Sequence, residues 1–136
     1  MLKLKVFLLC LSVIIILFSG VMCMELYALE RGIARGVYTD VMDDMQDIGY
    51  LHSGLADYYR EEMNGMGWES VNSDYFDGSW PLEEGQRARK ERNEMVRLTL
   101  TIRPSRMSQW INWFVTGETV FRFTGSRPSE YFDPGW

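Results

Sequence analysis

The chain has 136 residues, 46% of them hydrophobic, with 19 acidic against 14 basic side chains and a net charge of −5. That length and apolar content suit one small folded domain. The acidic balance argues against a nucleic-acid partner, and a single histidine, with both cysteines confined to the apolar N-terminal run, leaves no Cys-His catalytic pair and no usual zinc site outside it.

Residues 6–24, VFLLCLSVIIILFSGVMCM, carry no charge over 19 positions. As a helix they reach about 28 Å, enough to cross a bilayer core of about 30 Å. Lys3 and Lys5 precede the run and Glu25 follows it, so the positive-inside rule places the N-terminus in the cytoplasm and residues 25–136 outside. The run outlasts the apolar core of an ordinary signal peptide, and no A-x-A-like site follows it. Met22, directly before Cys23, is too large for a lipoprotein signal. An uncleaved anchor is therefore expected, with cleavage near Gly20 or Cys23 as the alternative. The expected division is a tip and transmembrane helix over 1–24 and an extracytoplasmic domain over 25–136. Cys10 and Cys23 both lie in the apolar run, so the outer domain relies on core packing or on neighbours rather than disulfides.

The periodicity then predicts that the helix continues. Leu29, Ile33, Val37, Val41 and Met45 recur every four residues, with Leu26, Met42 and Ile48 beside them. Gly49 is a natural stop, which gives one rod from about residue 3 to 48, roughly 70 Å long. Ala28, Gly32 and Gly36 are also spaced by four. Glycine inside a helix costs roughly 0.5–1 kcal/mol relative to alanine, whereas small side chains on one ridge let a second backbone approach closely. Ala28, Gly32 and Gly36, with Leu29, Ile33 and Val37, are the candidate helix-packing residues. Their partner is either the sheet or second helix of the same subunit or the same helix in a neighbour. Asp40, Asp43, Asp44 and Asp47 form an acidic patch at the far end, with like charges at i, i+4. Three readings stand: a solvated face, charge pairing with Arg87, Arg89, Lys90 and Arg92 within or between subunits, or a cation site. The wider charge pattern suits pairing, because residues 25–84 carry a net −11 and residues 85–127 a net +6.

Ser53 is expected to cap a second helix over about 54–64, with Leu55, Tyr58, Tyr59 and Met63 apolar, ended by Gly65 and Gly67. Trp68 to Asn72 reads as a short strand and 73–94 as irregular. Asn72, Asp74, Asp77 and Glu83 do not match a calcium-loop spacing, and turn chemistry is the better reading. Met95 to Arg103 is the clearest strand, with Val96, Leu98, Leu100 and Ile102 on one face and Arg97, Thr99, Thr101 and Arg103 on the other. Pro104 ends it. Ser105 caps a short helical turn carrying Met107, Trp110, Ile111 and Phe114, and Gly117 opens a second strand, Glu118 to Thr124, antiparallel to the first. The aromatic concentration of Trp110, Trp113, Phe114, Phe121 and Phe123 reads first as core or subunit contact, then as membrane surface, then as a ligand platform. His52, in the helix–helix turn, is a surface or capping residue. Nothing frames a nucleophile and no glycine-rich phosphate loop is present. No enzyme activity, cofactor, metal or small-molecule substrate is expected; a membrane-anchored hydrolase ranks last.

The fold class is therefore α+β: a long N-terminal helix that is transmembrane below and amphipathic above, a second short helix, and a small antiparallel β-sheet. The phrase YALERGIARGVYTDVMDDMQDIGYL, with its step Gly49-Tyr50-Leu51 into a second helix, resembles the first helix of TadE-like minor pilins of tight-adherence systems. It also resembles related membrane-anchored proteins of Gram-positive bacteria, and more broadly type IV pilin-like subunits. One departure is that the apolar run lacks the glycine cut site and the fifth-position glutamate of pilin precursors; Gly20 and Glu25 have that spacing, but cutting there would discard the membrane helix. The resemblance implies a structural subunit of a surface filament or its secretion machinery, partnered by the membrane and by copies of itself or other pilin-like subunits. The alternative is a monomeric membrane-anchored binding module of a conjugation or secretion system.

Overall fold

In the computed structural model of the chain, residues 1–71 and 74–132 are described. The expected α+β architecture is present: a long N-terminal helix, two shorter helices and a three-stranded antiparallel sheet. Helix α1 runs without a break from Leu2 to Ile48, 47 residues or about 70 Å. Every residue from Met1 to Met22 is exposed. Beyond that, one face is covered: Tyr27, Ala34, Val37, Val41, Met42 and Met45 are buried at helical spacing. The helix ends in a left-handed turn at Gly49, φ 89°, whose amide donates to the Met45 carbonyl at 2.7 Å.

Helix α2 spans Ser53–Gly65. Its cap is His52 rather than Ser53, because the extended His52 backbone brings Nδ1 to 3.1 Å from the Gly54 amide, from which it accepts. The strand expected from Trp68 shrinks to β1, Glu69–Ser70, paired with Arg103 and Ile102; Asn72 lies outside the described residues. Strand β2, Met95–Arg103, is as expected and forms the centre of the sheet. Val96, Leu98, Leu100 and Ile102 are fully buried. Thr101, expected on the open face, is also buried. The cause is the segment Tyr75 to Pro81, which serves as a substitute edge strand. Tyr75 accepts from the Thr101 amide at 3.0 Å, the Ser79 hydroxyl accepts from the Thr99 amide at 3.0 Å, and Trp80 bridges to Arg97.

Helix α3 spans Arg106–Thr116, and the Ser105 hydroxyl accepts from the Ser108 amide as its cap. Gly117 closes this helix in a left-handed turn, φ 82°, instead of opening a strand. The Asn112 amide group donates to the carbonyls of Glu118 at 2.8 Å and Val120 at 2.9 Å, which holds 118–120 as a turn. Strand β3 therefore runs Phe121–Pro128, three residues later than expected, and pairs with β2 from Ile102↔Phe121 to Met95↔Pro128.

One hydrophobic core joins α1 to this sheet and is closed by Ala56, Tyr59 and Met63 of α2 with Trp68, Tyr75 and Phe76. α1 approaches β3 so closely that a side-chain carbon at Gly125 would collide with the Tyr38 hydroxyl. At the C-terminal end of α1, the Ala88 amide donates to the Gly49 carbonyl at 2.8 Å. A methyl at Gly49 would strike the Ala88 carbonyl and the Arg87 side chain, and its φ is unfavourable for any other residue. Gly49→Ala is expected to lower stability by about 1–3 kcal/mol, read as an earlier denaturant midpoint in near-ultraviolet circular dichroism; an unchanged midpoint would refute the assigned turn.

Candidate functional site

Two polar and apolar features meet where α1 leaves its bare segment. The first is Glu30, which interrupts the stripe Cys23, Tyr27, Ala34 and Val37 on the covered side of α1. Its carboxylate accepts from the Trp68 indole at 2.9 Å, from the Ser105 amide at 2.8 Å, from the Ser105 hydroxyl at 2.8 Å and from the Ser108 hydroxyl. One turn lower, the Tyr27 hydroxyl donates to Asn112 at 2.7 Å and accepts from Arg31 at 3.1 Å. These bonds fix α3 across α1. Burial would raise the Glu30 pKa, but the bonds from Ser108, Ser105 and Trp68 prevail and hold it below its ordinary 4.5.

The second feature is the orientation of α3. Its bonds to α1 use Ser105, Ser108 and Asn112, and only Ile111 of its apolar side chains is buried. Trp110 is 73% and Phe114 82% exposed, and Trp113 and Val115 are more than half exposed. The expected aromatic core therefore reduces to Phe121, tilted against Tyr27 with ring centroids 5.9 Å apart, with Phe123 packed at its edge against Tyr38. A groove of about 570 Å³ runs between α3 (half-buried Met107, with exposed Trp110, Phe114 and Val115) and Ser19, Gly20, Cys23 and Met24 of α1.

The candidate packing residues fall on different sides of α1. A carbon added at Gly32 or Gly36 meets nothing within 4 Å, and Ala28, Leu29 and Ile33 are exposed. Neither the sheet nor α2 covers this ridge, so the same-subunit reading of it is set aside. Val37 belongs to the internal core. The acidic patch is partly engaged within the chain: Asp44 accepts from the Tyr59 hydroxyl at 2.9 Å, and Asp43 pairs with Arg127 of β3 at 3.1 Å. Burial first, then the bond to Asp44 and the charges of Asp44, Asp40 and Glu62, push the Tyr59 hydroxyl far above its usual pKa. The Arg87 guanidinium lies between the rings of Tyr50 and Tyr131 at 4.9 and 4.1 Å. Arg89 and Arg92 reach Glu91 and Glu94 at 3.9 and 3.8 Å, and Lys90 sits in a short turn, its amide bonded to the Tyr131 carbonyl.

Asp74 is clamped bidentately by Arg60 at 2.8 and 2.6 Å and accepts from the Phe76 amide at 3.4 Å, a structural role rather than a calcium ligand's. Among the described residues, no group of three or more His, Cys, Asp or Glu is placed to hold a metal ion. Comparison of the chain with family models, with curated proteins and with solved structures finds no match.

Sequence reasoning missed Glu30, although an acid inside an otherwise apolar stripe was a usable signal. Replacing it leaves the fully buried Ser108 hydroxyl and its neighbours without an acceptor, so Glu30→Ala is expected to cost about 1–3 kcal/mol. Because its folded pKa is depressed, its contribution is present above pH 4.5 and is lost as pH falls through the lower folded value. The stability lead of wild type over Glu30→Gln should shrink on acidification below that point; a lead that stays constant down to about pH 2 would refute the charged latch.

Proposed function

We propose that the chain is a non-enzymatic, membrane-anchored structural subunit, pilin-like in build, that associates with copies of itself or related subunits through its first helix. Residues 6–24 lie in the membrane, the N-terminus faces the cytoplasm, and the folded body stands outside. Length and apolarity support the span: α1 contains a window apolar enough to cross a bilayer, with none of it buried. Lys3 and Lys5 support the orientation. The likeness of residues 27–51 to TadE-like minor pilins supports the family reading, and assembly into a surface filament or secretion machine follows from it.

The observation that carries the association is the ridge Ala28, Gly32, Gly36. It lies on an uninterrupted helix, turned away from the chain's own sheet, with open space at both glycines and exposed Leu26, Leu29 and Ile33 beside it. Glycines that relieve no internal contact weaken the helix for the subunit alone, while a ridge of that shape accepts a second helix. The double variant Gly32→Leu, Gly36→Leu separates these roles. It should keep or raise the unfolding temperature, since leucine favours helix by roughly 1 kcal/mol per site, yet lose crosslinked multimers and migrate as a monomer in mild detergent. Unchanged multimers would overturn the proposal, and a wild-type chain that is monomeric throughout would favour the binding-module alternative.

A further inference from the structure

We propose that α3 is a membrane-seating helix: its free face, Trp110, Phe114 and Val115, lies in the acyl-chain boundary of the outer leaflet, and lipid tails fill the α1–α3 groove. This rests on the reading that residues 6–24 cross a bilayer.

The groove is continuous with the span, since its second wall is Gly20, Cys23 and Met24. With a 19-residue span of about 28 Å, those residues occupy the last turn of hydrocarbon, and whatever packs on them shares that depth. α3 cannot turn its apolar face elsewhere. Its polar side is bonded to α1 through Ser105 and Ser108 at Glu30 and through Asn112 at Tyr27. The result is a helix that turns Ser108 and Asn112, with Ile111, toward the protein and leaves Trp110, Trp113, Phe114 and Val115 facing away from it, against the usual pattern of a surface helix in water. In water such a patch is a liability; at a bilayer boundary it is the arrangement of an interfacial helix, with tryptophans at the headgroup level. Arg106, exposed in the first turn, stands at the height of Glu30, about 9 Å above Met24 along α1, within an arginine's reach of lipid phosphate. Seen this way, Trp110, Trp113 and Phe114 mark the depth at which the body sits.

The test uses the full chain with Cys10→Ala and Cys23→Ala, carrying one nitroxide-labelled cysteine at a time: Ile14→Cys in the span, Phe114→Cys on α3, or Leu82→Cys near the far end of the body. The proteins are reconstituted in vesicles of phosphatidylcholine and phosphatidylglycerol, and the label's collisions with oxygen and with a water-soluble nickel chelate are measured. Position 114 is mostly exposed, so folding is undisturbed. Loss of nickel collisions at 14 and 114, retained at 82 and insensitive to dilution of protein in lipid, is the expected result. Nickel access at 114 with protection at 14 overturns the seating helix while leaving the span intact. Protection at 114 that disappears on dilution assigns the face to a second copy and overturns the lipid assignment. Nickel access at 14 removes the span and the proposal with it.

Discussion

The Glu30 carboxylate is the tie on which the lower half of the body depends. A carboxylate can accept from four donors at once, and this one receives the indole that follows α2, the backbone and side chain that cap α3, and the first buried hydroxyl within α3. Two parts of the chain far apart in sequence, Trp68 and the start of α3, are thereby referenced to a single height on α1. Desolvation opposes the charge there, but donors that remain paired outweigh it. The apolar core then closes above this point, where β2 and β3 lie against Val41, Met42 and Met45.

The division of α1 into arcs follows from that tie. One arc takes the sheet and α3, a neighbouring arc takes Tyr59 of α2 and Trp68 beyond it, and the remaining arc, with Ala28, Gly32 and Gly36, is left uncovered. Both the proposed helix association and the proposed seating of α3 act on surfaces that the internal contacts leave over. They lie at different heights, the ridge above the groove, so one does not exclude the other.

How much of this was legible in the sequence depends on whether the determinant was local. β2 was, because period two over Met95 to Arg103 and a terminating Pro104 are both local signals. α1 was also legible, through Leu29 to Met45 and the stop at Gly49. The start of β3 was not: Glu118 to Val120 look like strand by composition, and only the reach of Asn112 across the turn shows otherwise. Segment 75–81 was illegible for a similar reason, since its pairing uses a serine hydroxyl in place of one backbone partner. In α3, the sequence marked Met107, Trp110, Ile111 and Phe114 as apolar positions of a short helical turn and did not show that only Ile111 of them would be buried. Ser108 and Asn112 met the protein as well, because Glu30 and Tyr27 offered them partners. At the candidate site the ridge was readable as a pattern, and the groove was not, since its walls are about 90 residues apart.

The unbroken passage of α1 through residue 25 has a mechanical consequence. If residues 6–24 lie in a bilayer, no joint decouples them from the 24-residue length that carries the body, and the two behave as one lever. An inclination of about 20° would carry the upper tip sideways by roughly 12 Å. Bilayers of different thickness would then present the same body at different attitudes, so the lipid environment would set which way its outermost strand and loops point.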